Sequence, residues 1–544
     1  MATRYLSGFS HDEGGNTAMV FALSLIPVIF AAGSALDYSR AGDLRTKLQV
    51  ATDGTLLSLC QAKTSLSKDQ LQDMALKSVR AYLPNGGITV DPLVVSTSPR
   101  VVTMTSHATY ETTFARVSGF NSIALSATGT CSAEERFFEI ALAVDTTGSM
   151  ANSSGTVSKI EALKKAAADF VDFVATSGTL AGHAKVALVP FSAAVAVDPT
   201  TYRTATWIDQ AGKSSLHWNN LDPAGTGYKS RLDFFTKLRS SYLGWDWAGC
   251  FESLPYPANT QDGKPDPNVP DSLYVPMFAP DEAGSGGSPS HTETSSGRTQ
   301  YTSNSYISDK NGIAGCNTDP PDDKTRMMRG CKYLSPQSVT TSSGRGPNFM
   351  CRSRPLTRLT ASTATLKSEI AALDANGNTN IHEGLLWGWR TLSPNSVFAD
   401  GVPYTQKNTT KVLVLMTDGM NTWGSQSNTV LKSNYSAHGY WKNADATTPN
   451  VRFPAANANI ANDAQARAAM DALVRETCSN ARSKVIVYTI GFSVATDPID
   501  QQGLNLLADC AGSAERTFVA NDAKGLIDAF QTIAKSIGTL RLTQ

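Results

Sequence analysis

The sequence predicts an α/β fold: a doubly wound, mostly parallel sheet with helices on both faces, behind an N-terminal transmembrane helix and a small α+β module. Three observations predict it. From about residue 134 onward, short apolar runs rich in β-branched residues alternate with stretches of helical periodicity, as in a parallel sheet crossed by helices. Two of those runs, Phe137–Val144 and Lys411–Met420, reach loops of oxygen-bearing side chains. Near the N-terminus, Thr17–Leu36 holds no charged residue over about twenty positions, the length that crosses a bilayer as a helix.

Length and composition bound the reading. The chain has 544 residues, enough for two or three domains. Lys+Arg and Asp+Glu both count 47, so no basic excess argues for a nucleic-acid partner. Gly, Ser, Thr and Asn abound and only 17% of residues are charged, which fits an extracytoplasmic surface protein better than a compact cytosolic enzyme. The eight cysteines lack CxxC spacing, which argues against zinc, and their even number is compatible with disulfides.

Residues 1–62 read as an anchor and a stalk. Pro27 inside the apolar stretch is tolerated in membrane helices. A buried core helix and a cleaved signal peptide are the alternatives, the latter with Ala32-Gly33-Ser34-Ala35 as small residues near a cleavage point. The preceding segment is long and carries Asp12 and Glu13 with only Arg4 as an early cation, which favours an uncleaved anchor. Arg40, Arg45 and Lys47 follow the stretch and by the positive-inside rule would hold the chain after it in the cytoplasm, but long domains translocate regardless of flanking charge. With the cysteines favouring an oxidising compartment, the expected topology is N-terminus inside and the bulk in the periplasm. Ala41, Leu44, Leu48 and Ala51 recur at helical spacing and extend the helix out of the membrane to about Gln61.

Residues 63–133 predict the α+β module. Ser67–Leu83 is a helix stopped by Pro84-Asn85-Gly86-Gly87. Ile88–Val95, Val101–Tyr110 and Ile123–Cys131 alternate as half-exposed strands. His107 stands alone and carries no chemistry.

The main domain spans residues 134–540. After the strand Phe137–Val144 come a helix over Ile160–Val174, the strand Val186–Phe191 and an antiparallel neighbour at Ala194–Val197. The pattern then breaks at about 201–356, a Gly/Pro/Ser/Asn-rich insertion of roughly 150 residues, far beyond an ordinary loop. Gly284–Ser296 within it is low-complexity and predicted mobile. The insertion reads as having a poor core of its own. It holds Cys250, Cys316, Cys331 and Cys351, which supply two staples of unassigned pairing. It also holds Trp207, Trp218, Trp245 and Trp247, half of the tryptophans, and is either a binding surface or a covering decoration. Helices at Leu366–Leu373, Ala464–Cys478, Gln502–Cys510 and Lys524–Ile537 and strands at Lys484–Phe492 and Arg516–Val519 complete the domain. Cys478 and Cys510 each close a helix flanking the strand Lys484–Phe492, so a bond between them is expected.

The candidate site lies where the two buried strands end. Asp145, Thr147 and Ser149 present oxygens at alternate positions after the first strand, ahead of a helix. Thr379 lies in the Gly/Asn-rich loop Asn376–Leu385, and Asp418 follows the second strand. In open α/β sheets that edge binds ligands. An all-oxygen set suits Mg²⁺, with Mn²⁺ or Ca²⁺ as alternatives, rather than zinc.

Asp145, Thr147, Ser149, Thr379 and Asp418, in that order, resemble the metal-ion-dependent adhesion site of von Willebrand factor A domains, with Thr147 where that family more often has Ser. The segments Gly14-Gly15-Asn16-Thr17-Ala18-Met19-Val20-Phe21-Ala22-Leu23 and Ala35-Leu36-Asp37-Tyr38 resemble the N-terminus of TadG-like proteins of tight-adherence (Flp) pilus-assembly systems. Pilins also resemble this segment but carry a Glu where Val20 stands. The resemblances imply a membrane-anchored binding protein of Flp pilus assembly in a Gram-negative envelope. Its divalent ion would be completed by a carboxylate from a protein partner. A metal-dependent hydrolase is the alternative from another class, supported locally only by His382 or Glu383, whose helix leaves Glu383 free to face solvent or cap a turn. A surface adhesin unrelated to pili is the third. No Ser-His-Asp order, P-loop or zinc motif is present, so no enzyme is expected.

Overall fold

The computed structural model describes residues 14–539 except 63–65, 85–86, 98–99, 134–135, 286–287, 290–292, 296–297, 301–303, 314, 319–321, 342–343, 428, 444 and 446. The charges Arg4, Asp12 and Glu13 and part of the low-complexity stretch Gly284–Ser296 therefore lie outside the described residues. The chain divides into two compact units between Glu135 and Arg136.

In the first unit one helix, α1 (Gly14–Gln61), runs from the apolar stretch through the stalk, with Pro27 inside it. Residues from Met19 to Ile29 expose their apolar side chains, as a lipid-facing helix does, and the helix is long and apolar enough to span a membrane. From Ala41 on, one face is buried. Leu48, Ala51, Leu56 and Leu59 pack with Leu71, Ala75 and Val79 of α2 (Lys68–Tyr82). Ser67 caps α2 with a capping box closed by Gln70. The strands are β1 (Thr89–Val90), β2 (Val94–Thr97), β3 (Arg100–Glu111) and β4 (Ser122–Ala133), all antiparallel. The single strand expected over Ile88–Val95 is split at Asp91-Pro92-Leu93, because proline has no N–H for the ladder. The expected division of a stalk from a separate module is also not kept. The stalk supplies part of the module's core, and a Cys60–Cys131 disulfide, unassigned from sequence, ties α1 to β4.

In the second unit the principal elements are β5 (Phe137–Asp145), α3 (Lys159–Thr176), β6 (Ala184–Phe191), β7 (Thr357–Thr360), α4 (Thr363–Ala371), α5 (Ile381–Leu392), β8 (Thr409–Thr417), α6 (Asp463–Arg482), β9 (Ile486–Phe492), α7 (Gln501–Ala511), β10 (Thr517–Ala520) and α8 (Ala523–Thr539). The sheet order is β7-β6-β5-β8-β9-β10, parallel throughout except for β7. Successive strand residues face opposite sides, and the two sides are separate cores. Ile140, Leu142 and Val144 meet α3, α4 and α8; Ala141, Ala143, Leu413 and Leu415 meet α5, α6 and α7. Burial on both sides is why these strands read as continuous apolar runs.

Two expectations change here. Ala194–Val197 is not the antiparallel edge strand; β7 is, beyond the insertion. The backbone of Val197 bonds to Gly249 and that of Ala196 to Leu356, so its hydrogen bonds are taken by the insertion. Nor is the insertion poor in core. Phe234, Phe235, Trp245, Trp247, Phe251 and Tyr274 are buried and continue the core above α5. Its cysteines pair as Cys250–Cys351 and Cys316–Cys331, and Cys478 is bonded to Cys510. Residues 419–462, between β8 and α6, form a second excursion that packs with the insertion through Tyr435, Ala437 and Tyr440.

Candidate metal centre

β5 and β8 are parallel neighbours, with Val144 opposite Met416. The next residues, Asp145 and Thr417, therefore leave the sheet side by side, and Asp418 follows. The Thr417 hydroxyl donates to Asp145 Oδ2 at 2.6 Å, and the Thr147 N–H donates to Oδ1 at 2.8 Å. Ser149 Oγ lies 3.1 Å from Thr147 Oγ1 and donates to Asp418 Oδ1 at 2.7 Å. Four of the five expected oxygen residues are thus joined directly. Thr379 comes alongside by backbone: the Gly148 N–H donates to Gly377 O at 2.9 Å, and the Thr422 N–H donates to Thr379 O at 2.9 Å. A Cβ at Gly419 would meet Thr379 Oγ1 at 3.9 Å.

Asp145, Thr147, Thr379 and Asp418 are all buried, and Ser149 is half-buried. Burial, then the nearby Asp418 carboxylate, push Asp145 up to about 7. Burial also raises Asp418, against the opposing pull of Lys159. Two desolvated carboxylates held together are unfavourable alone and favour a cation between them.

The spacing provides the test of fit. Octahedral Mg²⁺ with oxygens at about 2.0–2.1 Å places adjacent ligand oxygens about 2.9–3.0 Å apart. The 2.7 and 3.1 Å separations bracket that value. The Thr147, Ser149 and Asp418 oxygens therefore have the spacing of ligands of a hard divalent cation, and the Asp145 carboxylate and Thr379 hydroxyl are the oxygen donors beside them.

Sequence reasoning missed Lys159 and Asp497. Lys159 Nζ is fully buried, 2.9 Å from Asp418 Oδ2 and 2.7 Å from Asp497 Oδ2. Asn152 Nδ2 also donates to Asp497 Oδ2 at 2.8 Å. A signal was available. Lys159 is the first residue of α3, where the helix dipole disfavours a cation, so a lysine there calls for nearby acids.

Residues 15–58 match the model of a family described as putative Flp pilus-assembly, TadE/G-like. No curated protein matches the sequence. Among solved structures, the chain is similar to the pilus adhesin SpaC from Lactobacillus rhamnosus GG, at 11% identity and TM-score 0.33. That match covers 84% of this chain and 35% of SpaC, so the chain spans about a third of that protein. The PilB minor pilin from Streptococcus sanguinis is 12% identical, with TM-score 0.31 and coverage of 84% of this chain and 79% of PilB. The vWF domain of the type V pili tip protein Mfa5 from Porphyromonas gingivalis is 11% identical, with TM-score 0.32 and coverage of 75% and 98%.

A second polar cluster, His382, Glu383 and His438, lies buried behind Thr379. Glu383 is 2% exposed and so does not face solvent as its helix pattern allowed. The two imidazoles face each other with His382 Nδ1 3.2 Å from His438 Nε2. That separation is close to the roughly 3.3–3.4 Å between nitrogens on a tetrahedral zinc, but the surroundings fix the protons otherwise. Asn380 Oδ1 accepts from the Glu383 N–H as the cap of α5, which turns Asn380 Nδ2 toward His438 Nδ1, 3.3 Å away. His438 then carries its proton on Nε2 and donates to His382 Nδ1, while His382 Nε2–H donates to Asn259 O at 2.9 Å. The chain of bonds is closed and neutral, and it ties α5 to both excursions.

Proposed function

We propose that this protein is a membrane-anchored, extracytoplasmic binding protein of Flp-type pilus assembly. Its second unit, a doubly wound domain of the von Willebrand factor A type, contacts a protein partner through a divalent cation. The observation that carries the reading is the convergence of Asp145, Thr147, Ser149 and Asp418 at the C-terminal edge of two adjacent central strands, with the Thr147, Ser149 and Asp418 oxygens at separations suited to ligands of one hard ion. Asp145 and Asp418 supply the anionic oxygens and Thr147, Ser149 and Thr379 the neutral ones. Mg²⁺ is the expected ion, with Mn²⁺ and Ca²⁺ able to use the same oxygens. Two carboxylates balance the ion's charge, and Lys159 draws on one of them, so an acidic side chain of a partner completes the set.

The TadE/G-like match at residues 15–58 and the apolar α1 support the anchor. The disulfides in both units fit an oxidising compartment, and hence a bulk in the periplasm behind an inner-membrane helix. The role is binding rather than catalysis. The buried His382 and His438 are neutral and closed in hydrogen bonds to each other and to Asn259, so neither is aimed at the oxygen cage as a general base.

A pull-down of envelope proteins with the full chain, with and without chelator, tests the reading. Pilus-assembly components retained only with Mg²⁺ are expected; retention indifferent to chelator overturns it. A periplasm-dependent reporter fused after Gln544 tests the topology, and activity only from a cytoplasmic reporter defeats it.

A further inference from the structure

We propose that the β3–β4 connection of the first unit, with Phe114, Val117 and Phe120, is a second membrane contact that inserts into the lipid interface beside α1. The inference rests on the reading of Thr17–Leu36 as the spanning segment. Gly33 lies three residues inside the end of that stretch, about 4.5 Å of helix rise. The Phe114 ring lies directly on it: a Cβ at Gly33 would come within 2.6 Å of Phe114 Cγ. The connection is therefore held at the level of the last apolar turn, not out along the stalk.

The hold is built from Asp37, one turn further along α1 and 1% exposed. Its carboxylate accepts from the backbone N–H groups of Thr113, Phe114 and Ala115 at 2.7 to 3.2 Å, and from Tyr110 Oη at 3.3 Å. Those amides open the 3₁₀ turn Ala115–Ser118, whose free N–H groups favour an anion. The connection is closed on itself by Phe120 N–H to Ala115 O and by Thr112 Oγ1 to Phe120 O, with Gly119 in the left-handed region at φ 88°.

The turn leaves apolar groups outward. Val117 is 86% exposed, Phe120 69% and Phe114 39%. A soluble surface has little reason to place a valine and two phenylalanines on one short turn. Beside the end of a spanning helix the same groups gain by leaving water, and exposed Arg116 reaches the headgroup phosphates from the same turn. Tyr38 of α1, 77% exposed at the same level, suits the aromatic belt of an interface. Lipid is the occupant favoured here because the patch continues the exposed apolar surface of α1 from Met19 to Leu36.

The test uses the full chain in phospholipid vesicles containing a phospholipid with a photoactivatable diazirine on its acyl chain. After irradiation, lipid adducts are mapped by mass spectrometry. Adducts on α1 and also between Phe114 and Phe120 are expected. The double variant Val117→Asp, Phe120→Asp should lose the second set and keep the first. Adducts on α1 alone overturn the inference while leaving the anchor intact; adducts on neither segment overturn the anchor. Protein–protein cross-links through Val117 or Phe120, to a second copy or to another subunit, in place of lipid adducts also overturn it.

Discussion

Lys159 Nζ sits 2.9 Å from Asp418 Oδ2, with both side chains wholly buried. The first residue of a helix thus supplies a fixed positive charge to the outermost carboxylate of the oxygen cage. The same nitrogen holds Asp497 from the loop after β9.

Removing that charge leaves Asp418 and Asp497 without their cation. Lys159→Met should destabilise chelated protein by about 3–5 kcal/mol, the usual cost of breaking a buried pair. Mg²⁺ should stabilise each protein by about 2.7 kcal/mol at a hundredfold excess over that protein's own dissociation constant, so at equal Mg²⁺ the difference narrows by the ratio of their affinities. The variant should also bind Mg²⁺ more tightly than wild type. Urea unfolding with EDTA or with Mg²⁺ measures both, and a loss that Mg²⁺ leaves untouched would separate Lys159 from the ion.

Asp145→Ala removes one of the two carboxylates from the sheet edge. Divalent-ion binding and the ion-dependent part of partner binding should vanish, with the fold retained. In chelated protein the loss of the Thr147 and Thr417 hydrogen bonds is offset by relief of repulsion with Asp418. Calorimetric titration with Mg²⁺ and Mn²⁺ decides it; undiminished binding by the variant would show that the ion sits elsewhere.

Cys250 and Cys351 lie 101 residues apart, whereas Cys316 and Cys331 lie 15 apart. Chain entropy assigns about 4.7 kcal/mol to closing the first loop and about 3 to the second. Replacing each pair by alanine should lower stability in that order in urea. Equal losses would place the effect in the folded state instead.

His382, pushed down to about 3 by burial, and His438, also lowered by burial, stay neutral in the fold. Their unfolded counterparts take up protons near pH 6.5. Stability from these groups is therefore present above pH 6.5 and lost as pH falls toward 3, at about 1.4 kcal/mol per pH unit per histidine. Buried Asp145, Asp281 and Glu282, raised to about 7, 6 and 7 by burial, change in the opposite sense over the same range. The comparison must therefore be with a variant. His382→Gln should show a shallower loss than wild type between pH 6.5 and 4; an identical slope would mean His382 titrates normally.

The sequence by itself determined the order of the parallel strands and the helices between them in the second unit. A strand buried on both faces must be apolar throughout, and a helix must repeat its apolar face, so both leave a local record. Asp145, Thr147 and Ser149 were legible for the same reason: they interrupt such a strand at its end. What the tertiary structure decided was everything set by pairing across distance. Ala194–Val197 has strand composition, yet the insertion takes its hydrogen bonds, and β7 becomes the edge. Cys60 finds Cys131 only because the stalk folds onto the module's sheet. Lys159 lies 259 residues from Asp418 in the chain, and no local pattern joins them. The insertion looked coreless because its aromatics follow no period; they are buried against α5 and one another, a relation that periodicity does not encode.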